Sequence, residues 1–243
     1  MSAPGYVDLH CHWLPGIDDG VTSEAEGLDL LRVLCAAGFE RVIATPHMRP
    51  GMFDNDRDAI EAGFRAMAPR VAAAQGMPAV GLGAEHFFDA AVFERLVAGR
   101  AMPYPGGHAV LVELPTDRPP LRLAERFFDL RRRHLRPVLA HPERYAFVAD
   151  DPHWLDPLLD GGTVLLLDVA ALVGKYGRRA ERAARTLLEN GYYYAACSDS
   201  HRPADVDAVS KGIEQLRRLA GDEEATFLLS EGPRNVLEGK VEV

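Results

Sequence analysis

Short runs of aliphatic and β-branched residues recur along the chain, separated by stretches with helical spacing. The runs fall at 6–10 (YVDLH), 41–45 (RVIAT), 79–85 (AVGLGAE), 108–114 (HAVLVEL), 136–141 (RPVLAH), 163–169 (TVLLLDV) and 192–198 (YYYAACS). They are continuously apolar rather than alternating, the pattern of parallel strands covered on both faces. The intervening helices have legible ends. Ser23 and Glu26 form an S-x-x-E capping box that opens a helix running to Gly38, with Leu28, Leu31 and Cys35 on one face. Further helices are predicted over 56–74, 121–134 and 178–190; in the last, Glu181 and Arg185 pair at i,i+4 and Gly191 stops the helix. The RRRH run at 131–134 reads as a solvated helix end. Seven strand-then-helix units, with no linker, repeat or low-complexity segment, predict one α/β domain over 1–243, a (β/α) barrel.

Composition adds exclusions more than identity. At 243 residues and 47% hydrophobic, the chain suits a single barrel or a doubly wound sheet with a substantial core. A formal net charge of −9 argues against a nucleic-acid or anionic-membrane binder. Cys11, Cys35 and Cys197 are too few and too scattered for a disulfide framework. No basic-then-apolar leader is seen, and no apolar run approaches the roughly 20 residues needed to span a bilayer. The expectation is a soluble, cytoplasmic protein.

The chemistry gathers where the predicted strands end. His10 and His12 close the first strand, His47 follows the second, Glu85 closes the third and Glu113 the fourth. His141-Pro142-Glu143-Arg144 follows the fifth, and Asp199-Ser200-His201 follows the seventh. In a parallel barrel these carboxyl ends converge on one face, where active sites are built. Carboxylates crowded there would repel one another unless cations compensated them. Imidazole with carboxylate suits zinc, manganese or iron, and more ligands than one ion needs implies two or three ions bridged by carboxylates. His86, His108, His134 and His153 break the pattern and read as structural, although His86 adjoins Glu85 and could line the cleft.

The stretches D-L-H-C-H-x-L-P-G-I-D-D-G, A-T-P-H, G-A-E, V-E-L-P, A-H-P-E-R-Y and D-S-H, from Asp8 to the tail SEGPRNVLEG, carry a resemblance. They resemble the PHP (polymerase and histidinol phosphatase) superfamily, and more narrowly its bacterial tyrosine-phosphatase branch of CpsB/CapC/YwqE type. The resemblance implies a distorted (β/α)7 barrel holding three metal ions, Mn²⁺ first, with Fe, Co²⁺ or Zn²⁺ as alternatives. By position it assigns His10, His12, Glu85 and Asp199 to one ion. Glu85 as a bridge, Glu113 and His141 fall to a second, and Asp19, His47 and His201 to a third. Asp19 rather than Asp18 matches because it directly precedes the glycine. Arg144 would be catalytic and hold the phosphate, with Arg202 as a further substrate-binding group, and water activated between the ions would be the nucleophile. The implied substrate is phosphotyrosine in protein, a bacterial tyrosine kinase included, in capsule or exopolysaccharide regulation.

Some features stand apart from that family. Its members often carry glutamine and asparagine where this chain has Leu166 and Asp168, so Asp168 either ends its strand structurally or lines the cleft. The loop 48–56 (MRPGMFDND) is individual to this chain. Asp8 and Asp18 are unassigned, with orientation of a ligand histidine expected of one of them. Rival functions are a histidinol-phosphatase-like small-molecule phosphatase and a non-catalytic partner of a polysaccharide-assembly complex. A cysteine phosphatase is rejected: Cys35 to Arg41 spells C-x5-R, but Cys35 falls late in a helix and Glu40 would repel phosphate. Cys11 and Cys197 are expected to be small core residues.

Overall fold

A computed structural model describes residues 5–241; the ends of the expected 1–243 domain, 1–4 and 242–243, lie outside the described residues. Among the described residues there are nine strands: β1 (Tyr6–Cys11), β2 (Phe39–Ala44), β3 (His47–Met48), β4 (Ala79–Leu82), β5 (Glu85–Phe87), β6 (Ala109–Glu113), β7 (Arg136–Ala140), β8 (Val164–Asp168) and β9 (Ala195–Cys197). They pair in parallel as β1-β2-β4 and β3-β5-β6-β7-β8-β9. The ring closes between β1 and the residues just past β9. There Cys11 bridges Ser200, the His12 N–H donates to Ser200 O at 2.9 Å, and the Asp199 N–H donates to His10 O at 3.0 Å.

The extra strands come from two interruptions, which the apolar runs at 41–45 and 79–85 did not reveal. Pro46 has no N–H to continue a ladder, so β2 stops and β3 begins after it. Gly83 N–H to Ala44 O at 2.8 Å and Glu85 N–H to Pro46 O at 3.1 Å carry the pairing across the gap. β2 with β3, and β4 with β5, therefore each act as one broken stave. The break sets His47 in register with Glu85.

Strand alternation sorts the core into two layers. Val7, Leu9, Leu111, Val138, Leu166 and Ala195 fill the barrel with Tyr104, and Val236 and Leu237 of the helix Gly232–Glu238 join them. Val42, Val110, Val112, Leu139, Leu165 and Leu167 face outward against helices. The helix Glu24–Ala36 buries Gly27, Leu30, Leu31 and Leu34 rather than the Leu28 and Cys35 face expected. This stripe lets the helix approach Trp13 O, which a Cβ at Gly27 would meet at 2.7 Å. Ser23 caps Glu26 N–H as predicted, but the Glu26 carboxylate accepts from Thr22 N–H and Oγ1 instead of Ser23. Glu181 and Arg185 pair at 2.9 Å on the helix Arg178–Glu189. The tyrosines 192–194 precede β9 instead of starting it, because Gly191 and Tyr192 N–H groups cap that helix on Leu188 O and Leu187 O. Among the described residues no helix is long and apolar enough to cross a membrane.

Candidate metal centre

All nine residues expected as ligands meet at the carboxyl ends of the strands. His12, Asp19, His47 and His201 form one close group, and His10, His12 and Glu85 another. His10, His141 and Asp199 form a third, and His47, Glu85 and Glu113 a fourth. Glu113 groups with Glu85 and also with His47; His141 groups with His10 and Asp199, and its Nε2 stands 3.2 Å from Glu85 Oε1, the bridging partner the resemblance implies. Shared members make the groups one continuous cage. It is buried at its floor and opens outward at Asp19, whose side chain is 55% exposed. The cleft above it measures ≈ 160 Å³ and is also lined by Arg49, Met52, Phe53 and Arg144.

The spacing of the donor atoms fits cations. His10 Nε2 and His12 Nε2 stand 3.1 Å apart. His10 Nε2 is 3.3 Å from both Glu85 Oε2 and Asp199 Oδ1, and His12 Nε2 is 3.6 and 3.5 Å from them. Ligand atoms about 2.0–2.2 Å from a tetrahedral ion stand about 3.3–3.6 Å from one another. The four imidazole–carboxylate edges match that figure and are long for hydrogen bonds, while the His10–His12 edge is slightly shorter. Asp19 Oδ1 repeats the pattern at the outer edge, 3.4 Å from His47 Nε2 and 3.5 Å from His201 Nε2. Asp199 Oδ1 and Glu113 Oε2 are buried and accept no hydrogen bond. A buried carboxylate oxygen without a close donor is stabilised by positive charge beside it, whether a protonated imidazole or a metal ion.

Electrostatics agree. Burial opposes charge on His47, but Glu85 and Asp19 outweigh it and raise its pKa to about 11. Burial is likewise outweighed at His10, which Glu85 and Asp199 raise to about 9. Burial together with the Glu85 charge pushes Glu113 up to about 7. Burial and the neighbouring Arg144 lower His141 to about 4. The cage thus draws positive charge inward, as protons or as metal ions.

The surroundings aim the ligands. Asp18 accepts His12 Nδ1–H at 2.8 Å, which fixes the tautomer and leaves Nε2 for the cage. It also accepts the His47 N–H at 3.1 Å and the Gly20 N–H at 3.0 Å. Asp8 is instead a strand tie, accepting from His10 N–H, Ser198 N–H and Ser198 Oγ. Gly20 lets the D-D-G turn fold back, since a Cβ there would stand 2.3 Å from His12 O. His141 (φ 36°) and Asp199 (φ 42°) adopt left-handed backbone conformations, uncommon outside glycine though His and Asp take them more readily than most, just past β7 and β9.

Arg144 Nη1 donates to Asp199 Oδ2 at 2.5 Å, and its guanidinium lies 4.4 Å over the Tyr176 ring. Tyr176 carried no sequence signal, because only the fold brings it there. Arg202 is a correction: it turns away from the cleft, with Nη1 3.9 Å from Glu26 Oε1. Its neighbour His201 turns inward, and consecutive residues at this bend point apart. His86 does not line the cleft; Nδ1–H donates to Leu111 O and Nε2 accepts Met102 N–H. Asp168 does not line the cleft; it accepts Ala170 N–H at 2.9 Å while its own N–H donates to Glu143. Cys11 and Cys197 are buried outside the ligand groups, and Cys35 lies in the last turn of its helix.

An all-parallel barrel with an imidazole–carboxylate cage at its carboxyl rim defines the class, a (β/α)-barrel protein built for metal ions. More particularly, the chain belongs to the CpsB/CapC family of capsular polysaccharide synthesis, whose sequence model matches residues 6–238. It is 27% identical over 195 residues to the tyrosine-protein phosphatase YwqE of Bacillus subtilis (strain 168), covering 80% of this chain and 77% of that protein. It is 22% identical over 240 residues to the tyrosine-protein phosphatase CpsB of Streptococcus pneumoniae, covering 95% and 98%. A crystal structure from work on YwqE and CpsB of those organisms, described as unique metal-dependent tyrosine phosphatases, superposes with a TM-score of 0.89 at 25% identity. That match covers 98% of this chain and 96% of the other.

Proposed function

We propose that this chain is a metal-dependent phosphomonoesterase that removes phosphate from phosphotyrosine in protein, acting in the cytoplasm on capsule or exopolysaccharide regulation. The observation that carries the reading is the cage of nine donors with ion-sized spacings, His10 Nε2 and His12 Nε2 each within 3.6 Å of both Glu85 and Asp199. Nine donors exceed what one ion takes, which supports three ions, Mn²⁺ foremost. Such ions supply Lewis acidity and activated water at neutral pH.

The chain's own residues do the rest. His10, His12, His47, His141 and His201 with Asp19, Glu85, Glu113 and Asp199 hold the ions. Asp18 keeps His12 in the tautomer that presents Nε2. Arg144, fixed between Asp199 and Tyr176, holds the phosphoryl oxygens and balances charge as it builds up on them. No cysteine nucleophile is involved: burial holds the thiols of Cys11 and Cys197 well above the ordinary range. The three free cysteines also suit a reducing compartment. A bacterial tyrosine kinase is the substrate we propose in the cell.

The test compares a phosphotyrosine peptide with histidinol phosphate on metal-loaded protein. The peptide is expected to be the better substrate by kcat/KM. Preference for histidinol phosphate would move the assignment to a small-molecule phosphatase, and no hydrolysis of either would remove the enzymatic reading.

A further inference from the structure

The cleft is floored by polar ligands, yet Met52 and Phe53 put apolar surface on its wall. Both belong to the loop 48–56 that follows His47. The loop is tightly held. Phe53 N–H donates to Arg49 O at 2.8 Å, Arg49 N–H donates to Phe53 O at 3.1 Å, and Gly51 N–H donates to Asp54 Oδ1 at 2.7 Å. Gly51 turns the chain at φ +82°, a conformation that favours glycine. Asn55 Nδ2 anchors the base of the loop on Ile17 O and His47 O, both at 2.9 Å, and the Arg49 guanidinium lies 4.0 Å over the Phe87 ring.

None of these anchors uses the side chain of Met52, and among the described residues the Phe53 ring is engaged only by the His47 imidazole. The Phe53 ring lies 5.2 Å from the His47 imidazole and within 7° of parallel to it. A flat aromatic face thus continues directly from a cage residue. Met52 is 59% exposed beside it. A thioether and a phenyl face at one edge of a polar cleft suit a planar aromatic group, through ring stacking and sulfur–aromatic contact. A short alkyl phosphate would leave them in water.

We propose that Met52 and Phe53 form an aryl-binding lip that selects aromatic phosphomonoesters over alkyl ones. The inference rests on the phosphomonoesterase reading above and names the specificity of that same site. Two non-hydrolysable probes, phenylphosphonate and methylphosphonate, isolate it. Each is titrated calorimetrically into Mn²⁺-loaded protein, so the readout is binding and not turnover. Covering roughly 60 Å² of ring face gives an expected preference for phenylphosphonate of about tenfold.

Met52→Ser and Phe53→Leu, singly and together, should erase that preference while methylphosphonate affinity and metal content hold. Met52→Ser changes an exposed side chain, so it remains informative if Phe53→Leu disturbs His47. Equal wild-type affinities, or a preference that survives both substitutions, overturn the lip and leave the phosphatase reading standing. Binding of neither phosphonate overturns both together.

Discussion

Replacing Asp18 by asparagine separates orientation of the ligands from ligation itself. Asp18 Oδ2 accepts His12 Nδ1–H at 2.8 Å and His47 N–H at 3.1 Å, while Oδ1 accepts Gly20 N–H at 3.0 Å. Asparagine has only one acceptor oxygen. Aimed at the histidines, it turns its NH₂ against the Gly20 N–H; reversed, it abandons both histidines. Either way a buried donor loses its partner, which costs about 1–3 kcal/mol. The charge that holds the His12 tautomer is lost as well. Loss of such an outer partner weakens metal affinity by about 10–100-fold. Competition against a chelator of known affinity, on protein stripped and then titrated with Mn²⁺, measures this. An Asp18→Asn protein that binds as tightly as wild type would refute the orienting role.

Other expectations follow from the same geometry. Gly20→Ala places a Cβ 2.3 Å from His12 O and 2.6 Å from His12 Cβ, so it should cost about 1–3 kcal/mol in denaturant unfolding and lower metal occupancy. Wild-type stability with full occupancy would show that the turn relaxes freely. Arg144→Ala should lower kcat by about 10²–10³-fold with metal content near normal. Arg144 holds Asp199 Oδ2, whereas Oδ1 faces the histidines, so unchanged turnover would take Arg144 out of the mechanism.

The titrating imidazoles give a pH prediction for metal-free protein. The pKa values of His10 and His47 are raised in the fold to about 9 and about 11. Their contribution to stability is complete below the unfolded pKa of about 6.5 and is lost as pH rises through those folded values. Chemical melts of stripped protein should therefore weaken between neutral pH and pH 11. Loading with metal at pH 7 should release on the order of two protons, seen by calorimetry in buffers of different ionisation enthalpy. Metal uptake without proton release would contradict the charge assigned to the cage.

Much of the fold was legible because parallel strands announce themselves as apolar runs, and polar residues at their ends are then conspicuous. Glu113 after AVLV and His141 after PVLA stand out for that reason. What stayed hidden is three-dimensional. The run AVGLGAE reads as unbroken, yet Gly83 and Ala84 step across a gap beside Pro46. Asp18 and Asp19 are neighbours of one type, and only the returning turn sends one to His12 and the other to His47 and His201. Arg202 was misplaced by the same logic, since adjacency to His201 carries no information about direction. Left-handed backbone at His141 and Asp199 aims side chains in a way no residue pattern encodes. Phe53 and Met52 entered the cleft only once the loop's hydrogen bonds were known.

The central claim is that the cage works through bound ions on phosphotyrosine. Hydrolysis of a phosphotyrosine peptide by stripped and by Mn²⁺-reconstituted protein, with bound metal counted in the same samples, tests it most directly. The account predicts no turnover when stripped, and turnover that returns as occupancy approaches three ions per chain. Undiminished turnover by metal-free protein, or a fully loaded protein that leaves the peptide intact, would contradict it.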